Sequence, residues 1–212
     1  MIVRFSRSPA TYVLLALITL IAIAEWLLGA FANEQILPAV GAIVPHLFAD
    51  RQYWRLITAM FLHANWLHWA ANTWSLFQLG TFYETLFGTR RFLFMYFATG
   101  ICASTASALG NHVSVGASGA IFGILGAFIF SVRRSPQYRH QPWTRSLTQQ
   151  LVFWTIVNIG IGLAVPQIDN RAHIAGLVSG LLLGFIPHRV PPPPPRQAVI
   201  EVTGAPPPPA VG

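Results

Sequence analysis

The chain has no lysine at all, and only 9% of its 212 residues are charged, six acidic side chains standing against thirteen arginines. Soluble domains carry about 25% charged residues, so this shortage excludes an ordinary soluble fold and puts the chain in a bilayer. The single cysteine, Cys102, excludes an intramolecular disulfide framework and any CxxC metal or redox motif, and within its apolar run it reads as a small packing residue. HExxH is missing, which removes the common zinc-protease pattern. The only aspartates, Asp50 and Asp169, lie between apolar runs, so no pair of intramembrane catalytic aspartates is available. Nor do two inverted halves with broken helices appear, the usual mark of a transporter.

What is present is hydrophobic: 54% of the residues, in runs that recur until a proline-rich tail. A spanning helix takes about 20 mainly apolar residues. Six segments approach that length, at 11 to 31, 66 to 86, 91 to 109, 118 to 132, 149 to 166 and 172 to 188. The expected fold is therefore all-α, a polytopic bundle of six transmembrane helices over residues 1 to 190, followed by a proline-rich cytoplasmic tail from 191 to 212 with no fold of its own.

The net charge of +7 would suggest nucleic acid in a soluble protein, but here the arginines fall between apolar runs and act as topology signals. Arg4, Arg7, Arg90, Arg91, Arg133, Arg134, Arg139, Arg145, Arg189 and Arg196 group on the side of the termini, whereas Arg51, Arg55 and Arg171 face the other way. The positive-inside rule then puts both termini in the cytoplasm and makes the second, fourth and sixth helices enter from outside. The first segment also has the look of a signal peptide, with Ala30-Phe31-Ala32 as its cleavage site, but its apolar run is longer than such segments usually carry, and a retained anchor is the preferred reading. Glu25, inside that run, suits neither reading. Residues 33 to 62 are too apolar for a plain outer loop and read as an interfacial or re-entrant segment.

Polar groups within a bilayer are costly and call for a functional hypothesis. Four stand out. His68 and Asn72 are four apart and share a face of the second helix, Ser118 opens the fourth helix and His173 the sixth. Because these helices run in one direction, the four groups lie at similar depth and can converge. Small-residue stripes, Gly119, Gly123 and Gly126 with Ala127 on one helix and Ala172, Gly176, Gly180 and Gly184 on the other, allow a close approach. Serine needs a base to take its proton, and His173 supplies one. The unpaired N–H groups at the start of the helix favour an oxyanion beside Ser118, and His68 and Asn72 can add side-chain donors. No intramembrane acid is at hand to orient His173, which points to a dyad. His63, five residues before His68 and off its face, reads as a loop brace.

The segments WRLITAMFLHANWLHWAAN, GASGAIFG and DNRAHIAGLVSG, in this order, resemble the rhomboid family of intramembrane serine proteases over residues 51 to 186. The resemblance implies Ser118 as nucleophile, His173 as general base and then acid, and His68, Asn72 and the Ser118 N–H as oxyanion hole. It further implies supporting roles for Gly116, Gly119 and Gly176, a structural loop motif at Trp54 and Arg55, and an inner turn at Glu84, Gly88 and Arg90. Phe122 stands where some members have a tyrosine beside the catalytic histidine, so ring stacking is kept and a hydrogen bond is not. Transmembrane protein substrates, cut near their outer ends, and the lipid bilayer are the implied partners, with no nucleic acid, metal or cofactor. The lysine-free composition suggests a prokaryotic inner membrane.

Overall fold

The computed structural model describes residues 8 to 186, so Arg4, Arg7, Arg189, Arg196 and the proline-rich stretch from 191 lie outside the described residues. Among the described residues the protein is all-helical, with no strand and one isolated antiparallel bridge between Ile43 and Ser114. Its helices are α1 (Pro9–Leu27), the short α2 (Leu37–Val40) and α3 (Arg55–Thr58), then α4 (Trp66–Phe87), α5 (Thr89–Ala108), α6 (Ser118–Arg134), α7 (Pro142–Ala164) and α8 (Asn170–Leu183).

Helices α4, α5 and α6 coincide with their apolar segments to within two residues, α1 and α8 end four and five residues earlier than expected, at Leu27 and Leu183, and the largest difference is at the start of α7. This helix starts at Pro142, a residue suited to the first helical position, and spends its first turns on Arg145, Ser146, Thr148 and Gln149 before the apolar run begins. A hydropathy reading cannot see that polar extension. The Asn65 side chain caps α4 by accepting the His68 N–H at 2.9 Å, and Asp169 caps α8 by accepting the Ala172 N–H at 3.1 Å. Residues 33 to 62, expected as an interfacial or re-entrant segment, form the short α2 and α3 helices and turns, and the Arg55 guanidinium braces them by donating to the carbonyls of Pro38 and Ala42 at 2.6 and 2.9 Å.

Contacts between helix ends fix the directions. At one end the first residues of α1 meet the last turn of α4: Glu84 accepts the N–H groups of Ala10 and Thr11 at 3.0 and 2.8 Å and the hydroxyls of Thr11 and Thr89, both at 2.7 Å. At this same end Arg91, and not the Arg90 of the expected inner turn, ties the start of α5 to the end of α8, donating to the carbonyl of Ile186 at 3.0 Å and to the Tyr83 hydroxyl at 3.0 Å. At the opposite end Ser107 on α5 donates to the Asp169 carboxyl before α8. Helices α6 and α8 therefore run side by side in one direction, with α5 antiparallel to both.

The interior is built around α6. Backbone meets backbone where it faces α8: a Cβ on Gly176 would run into the Gly119 carbonyl, and one on Gly180 into the Gly123 carbonyl. Polarity is inverted on the outside. Helix α7 buries Thr144, Thr148, Thr155 and Gly162 while Phe153, Trp154, Ile156 and Leu163 are exposed, and α1 exposes Val13, Leu20, Trp26 and Leu27. Contiguous apolar faces of this extent are not left to water and match a hydrocarbon solvent. By length and composition alone, two described helices are long and apolar enough to cross a membrane, and they are these two peripheral ones. Of the inner helices, α6 has 17 residues and α8 only 14, about 26 and 21 Å at 1.5 Å per residue, while α4 and α5 are longer but carry more polar side chains.

Candidate active site

Ser118 is the first residue of α6 and His173 lies in the first turn of α8. With the two helices parallel and in backbone contact, both side chains reach the same level, and His173 Nε2 is 2.9 Å from Ser118 Oγ. His173 is buried, and its other ring nitrogen, Nδ1, is also buried and meets no hydrogen-bond partner among the described residues. Orientation comes from packing instead: the Phe122 ring, one turn beyond Ser118, stacks on the imidazole with centroids 4.3 Å apart and planes 9° from parallel. Among the described residues no group of three or more His, Cys, Asp or Glu side chains stands where it could hold a metal ion.

His68 and Asn72 approach the backbone just ahead of the serine. Gly116 has φ +125, a region that L side chains seldom adopt, and a Cβ there would stand 2.7 Å from His68 Nε2 and 3.7 Å from Asn72 Nδ2. The glycine thus meets two demands at once, an unusual backbone turn and room for two polar side chains. Asn72 is buried and donates through Nδ2 to the His68 carbonyl at 3.0 Å, which leaves its second N–H uncommitted by that bond. The Ser118 N–H, at the first helical position, has no acceptor one turn back within α6. The His68 and Asn72 side chains therefore stand beside Gly116, two residues before the serine and its N–H.

The other expected residues fall into two places. Gly119 and Gly176 form the backbone contact that sets the separation of α6 and α8. Trp54 and Arg55 lie away from the dyad, the guanidinium 4.5 Å over the indole, and hold the segment ahead of α4. Two groups that matter here escaped the motif reading. Glu25 on α1 accepts the His63 N–H, and Asp169 holds the start of the helix that carries His173, its backbone carbonyl accepting the His173 N–H at 3.2 Å. A lone acid within an apolar run was the available signal for the first. Aspartate just ahead of a helix, as N-cap, was the signal for the second.

Burial works against the charged form of the Asp169 carboxyl, but hydrogen bonds from the Ser107 hydroxyl, the Ala172 N–H and the Ser114 hydroxyl, with the His112 ring nearby, hold its pKa below the ordinary carboxylate value. A depressed folded-state pKa stabilises the protein fully above the unfolded value of about 4, and that stability is lost as pH falls through the lower folded value. Melting temperatures followed in detergent from neutral to acid pH are expected to fall on the acid side for the wild type. The Asp169→Asn variant is expected to start lower at neutral pH and to decline less. Parallel acid limbs for the two proteins would refute this assignment.

A Rhomboid domain family model matches residues 50–190. "Rhomboid protease GluP" of Bacillus subtilis (strain 168) is 38% identical over 171 residues, 80% of this chain and 33% of that protein. "RHOMBOID-like protein 5" of Arabidopsis thaliana is 36% identical over 151 residues, 69% of this chain and 48% of that protein. "Putative rhomboid protease YdcA" of Bacillus subtilis (strain 168) is 33% identical over 141 residues, 65% of this chain and 69% of that protein. The matched region thus spans between a third and a half of the first two proteins and about two thirds of the third.

Proposed function

The chain belongs to the rhomboid family and is an integral, multi-pass membrane protein, and from that premise we propose that it is an intramembrane serine endopeptidase that cuts transmembrane substrates through a Ser118–His173 dyad. The observation that carries this reading is the 2.9 Å contact between His173 Nε2 and Ser118 Oγ, a nucleophile within hydrogen-bond reach of its base.

In the proposed reaction the Ser118 oxygen attacks the scissile carbonyl carbon while its proton passes to His173 Nε2. The resulting oxyanion is held by the Ser118 N–H, the His68 ring and the second N–H of Asn72, each such donor being worth about 10²- to 10³-fold in rate. His173 then gives the proton to the leaving amine as the C–N bond breaks. Water, deprotonated by the same imidazole, hydrolyses the acyl-enzyme and releases Ser118. Among the described residues no carboxylate hydrogen-bonds to His173 Nδ1, and the imidazolium formed on the way is supported by the stacked Phe122 ring.

The six long helices are taken as spans, with both termini cytoplasmic and a prokaryotic inner membrane as the location. On that topology the starts of α4, α6 and α8, and with them the dyad, face the outer side. Substrate helices would enter from lipid and unwind near the outer leaflet, where hydrolytic water is at hand. The apolar outward faces of α1 and α7, with threonines on the buried side of α7, favour this arrangement.

Fluorophosphonate labelling of the purified protein in mild detergent tests the reading. The wild type is expected to take up label on Ser118 and the Ser118→Ala variant to take up none. Equal labelling of the two, or no labelling of a folded wild type, would reject a base-activated serine.

A further inference from the structure

Glu25 is an ionisable group inside a membrane-facing helix, where a charged side chain is costly. It is not turned outward. It is buried at 2% exposure, in the last turns of α1, and both of its carboxyl oxygens lie 3.0 Å from the backbone nitrogen of His63. No step of the proposed reaction uses this group.

His63 leads from this carboxyl to the site. Its ring is fully buried with the Phe61 backbone beside it, and its N–H is held by the Glu25 carboxylate. The ring stands edge-on to His68, with centroids 5.1 Å apart and planes at 70°. His68 in turn rests against Gly116, two residues before Ser118. The same short segment is held from the other side, the Gly116 N–H donating to the Ala59 carbonyl at 2.9 Å. Residues 59 to 63 are thus suspended between α1 and the loop that delivers the serine, and the position of the His68 ring follows from that suspension.

We propose that Glu25 is a positioning residue for the oxyanion pocket: by fixing the His63 N–H, it sets the His63 ring that holds His68 over Gly116. The proposal rests on the protease reading above. It gives α1 a part in catalysis beyond filling the bundle, because a side chain contributed by α1 controls a donor on α4.

The test is a cleavage assay on a transmembrane substrate in detergent, with enzyme concentration set by the fluorophosphonate-reactive Ser118 at completion. Four proteins are compared with the wild type: Glu25→Leu, Glu25→Gln, His68→Ala and the Glu25→Leu/His68→Ala double variant. The expected result for Glu25→Leu is a kcat about tenfold lower at unchanged KM, with Glu25→Gln, which keeps one acceptor oxygen, within about threefold of wild type. In the His68→Ala background the leucine substitution is expected to cost nothing more, since two residues acting through one group are not additive. An equal loss in both backgrounds, or a lowered melting temperature with kcat per reactive serine unchanged, would overturn the proposal and leave the dyad untouched. Should Glu25→Leu not fold, Glu25→Gln in the two backgrounds reads the same coupling. A folded wild type that neither cuts nor labels at Ser118 would sink the protease reading, and this inference with it.

Discussion

Replacing His173 with alanine is expected to lower kcat/KM for a transmembrane substrate by about 10⁴-fold or more, roughly 5 kcal/mol of transition-state stabilisation, with little change in the fold. The size follows from the single contact through which the serine is activated. Ser118 Oγ has His173 Nε2 at 2.9 Å, and among the described residues no other side chain hydrogen-bonds to it; without the imidazole the hydroxyl stays protonated at neutral pH. The oxyanion donors survive the substitution, so a residue of catalysis over water should remain. His173→Gln makes the sharper comparison. Its amide can fill part of the space under Phe122 and hydrogen-bond to the serine, yet it accepts no proton, so its activity should be as low as that of the alanine variant. A glutamine variant retaining a tenth or more of wild-type activity would show that His173 orients Ser118 and does not take its proton. Both variants should also lose fluorophosphonate reactivity, which separates a failed nucleophile from a failed substrate-binding step.

How far the site could be read in advance depends on the kind of signal each residue leaves. Ser118, His173, His68 and Asn72 are polar groups in apolar runs, at the starts of helices that the arginine pattern turns the same way. Their convergence could therefore be expected before any contact was known, and the structure brings all four together around Gly116 and the start of α6. The stripes of small residues were equally legible, because a four-residue spacing of glycine has few causes other than a near neighbour. Glu25 was visible only as a misfit. Its partner is a backbone N–H, 38 residues further along the chain, and no side-chain pattern records which N–H groups are left over by a turn. Asp169 lies between apolar runs and so reads as part of a connection. Its effect passes through the N-cap and the His173 N–H, and capping is decided by local backbone geometry.

The polar start of α7 was missed for a related reason. Hydropathy finds the part of a helix that faces lipid, and Arg145, Ser146, Thr148 and Gln149 do not give that signal. Membrane patterning also works in reverse here. The two helices that pass a test of length and composition are the peripheral α1 and α7, while the helices that carry the chemistry fail it. Helices α6 and α8, with 17 and 14 residues, are too short for that test, and α4 carries imidazole, amide and hydroxyl groups that lower its apolar content.

That close approach leads to the second large effect. Gly180→Ala adds one methyl group, yet the new Cβ would run into the Gly123 carbonyl of α6, a backbone atom with no rotamer to change. The helices must separate, and the cost should reach the upper end of the range for overpacking, about 3 kcal/mol. For a protein of this size that is a fall of about 10 °C in Tm in detergent. Gly160→Ala is the matched control: the same chemical change on α7, where nothing lies within 4 Å of the added Cβ, should move Tm by no more than a few degrees, in either direction. Activity should follow separation more steeply than stability does. Ser118 and His173 sit on the two helices being pushed apart, and an added 1 Å between Oγ and Nε2 carries a 2.9 Å hydrogen bond beyond its useful range. Gly180→Ala is therefore expected to label slowly with fluorophosphonate even at temperatures where it remains folded, whereas Gly160→Ala should label at the wild-type rate. If the two alanine variants shift Tm and labelling rate alike, the backbone contact between α6 and α8 is not what holds the dyad together.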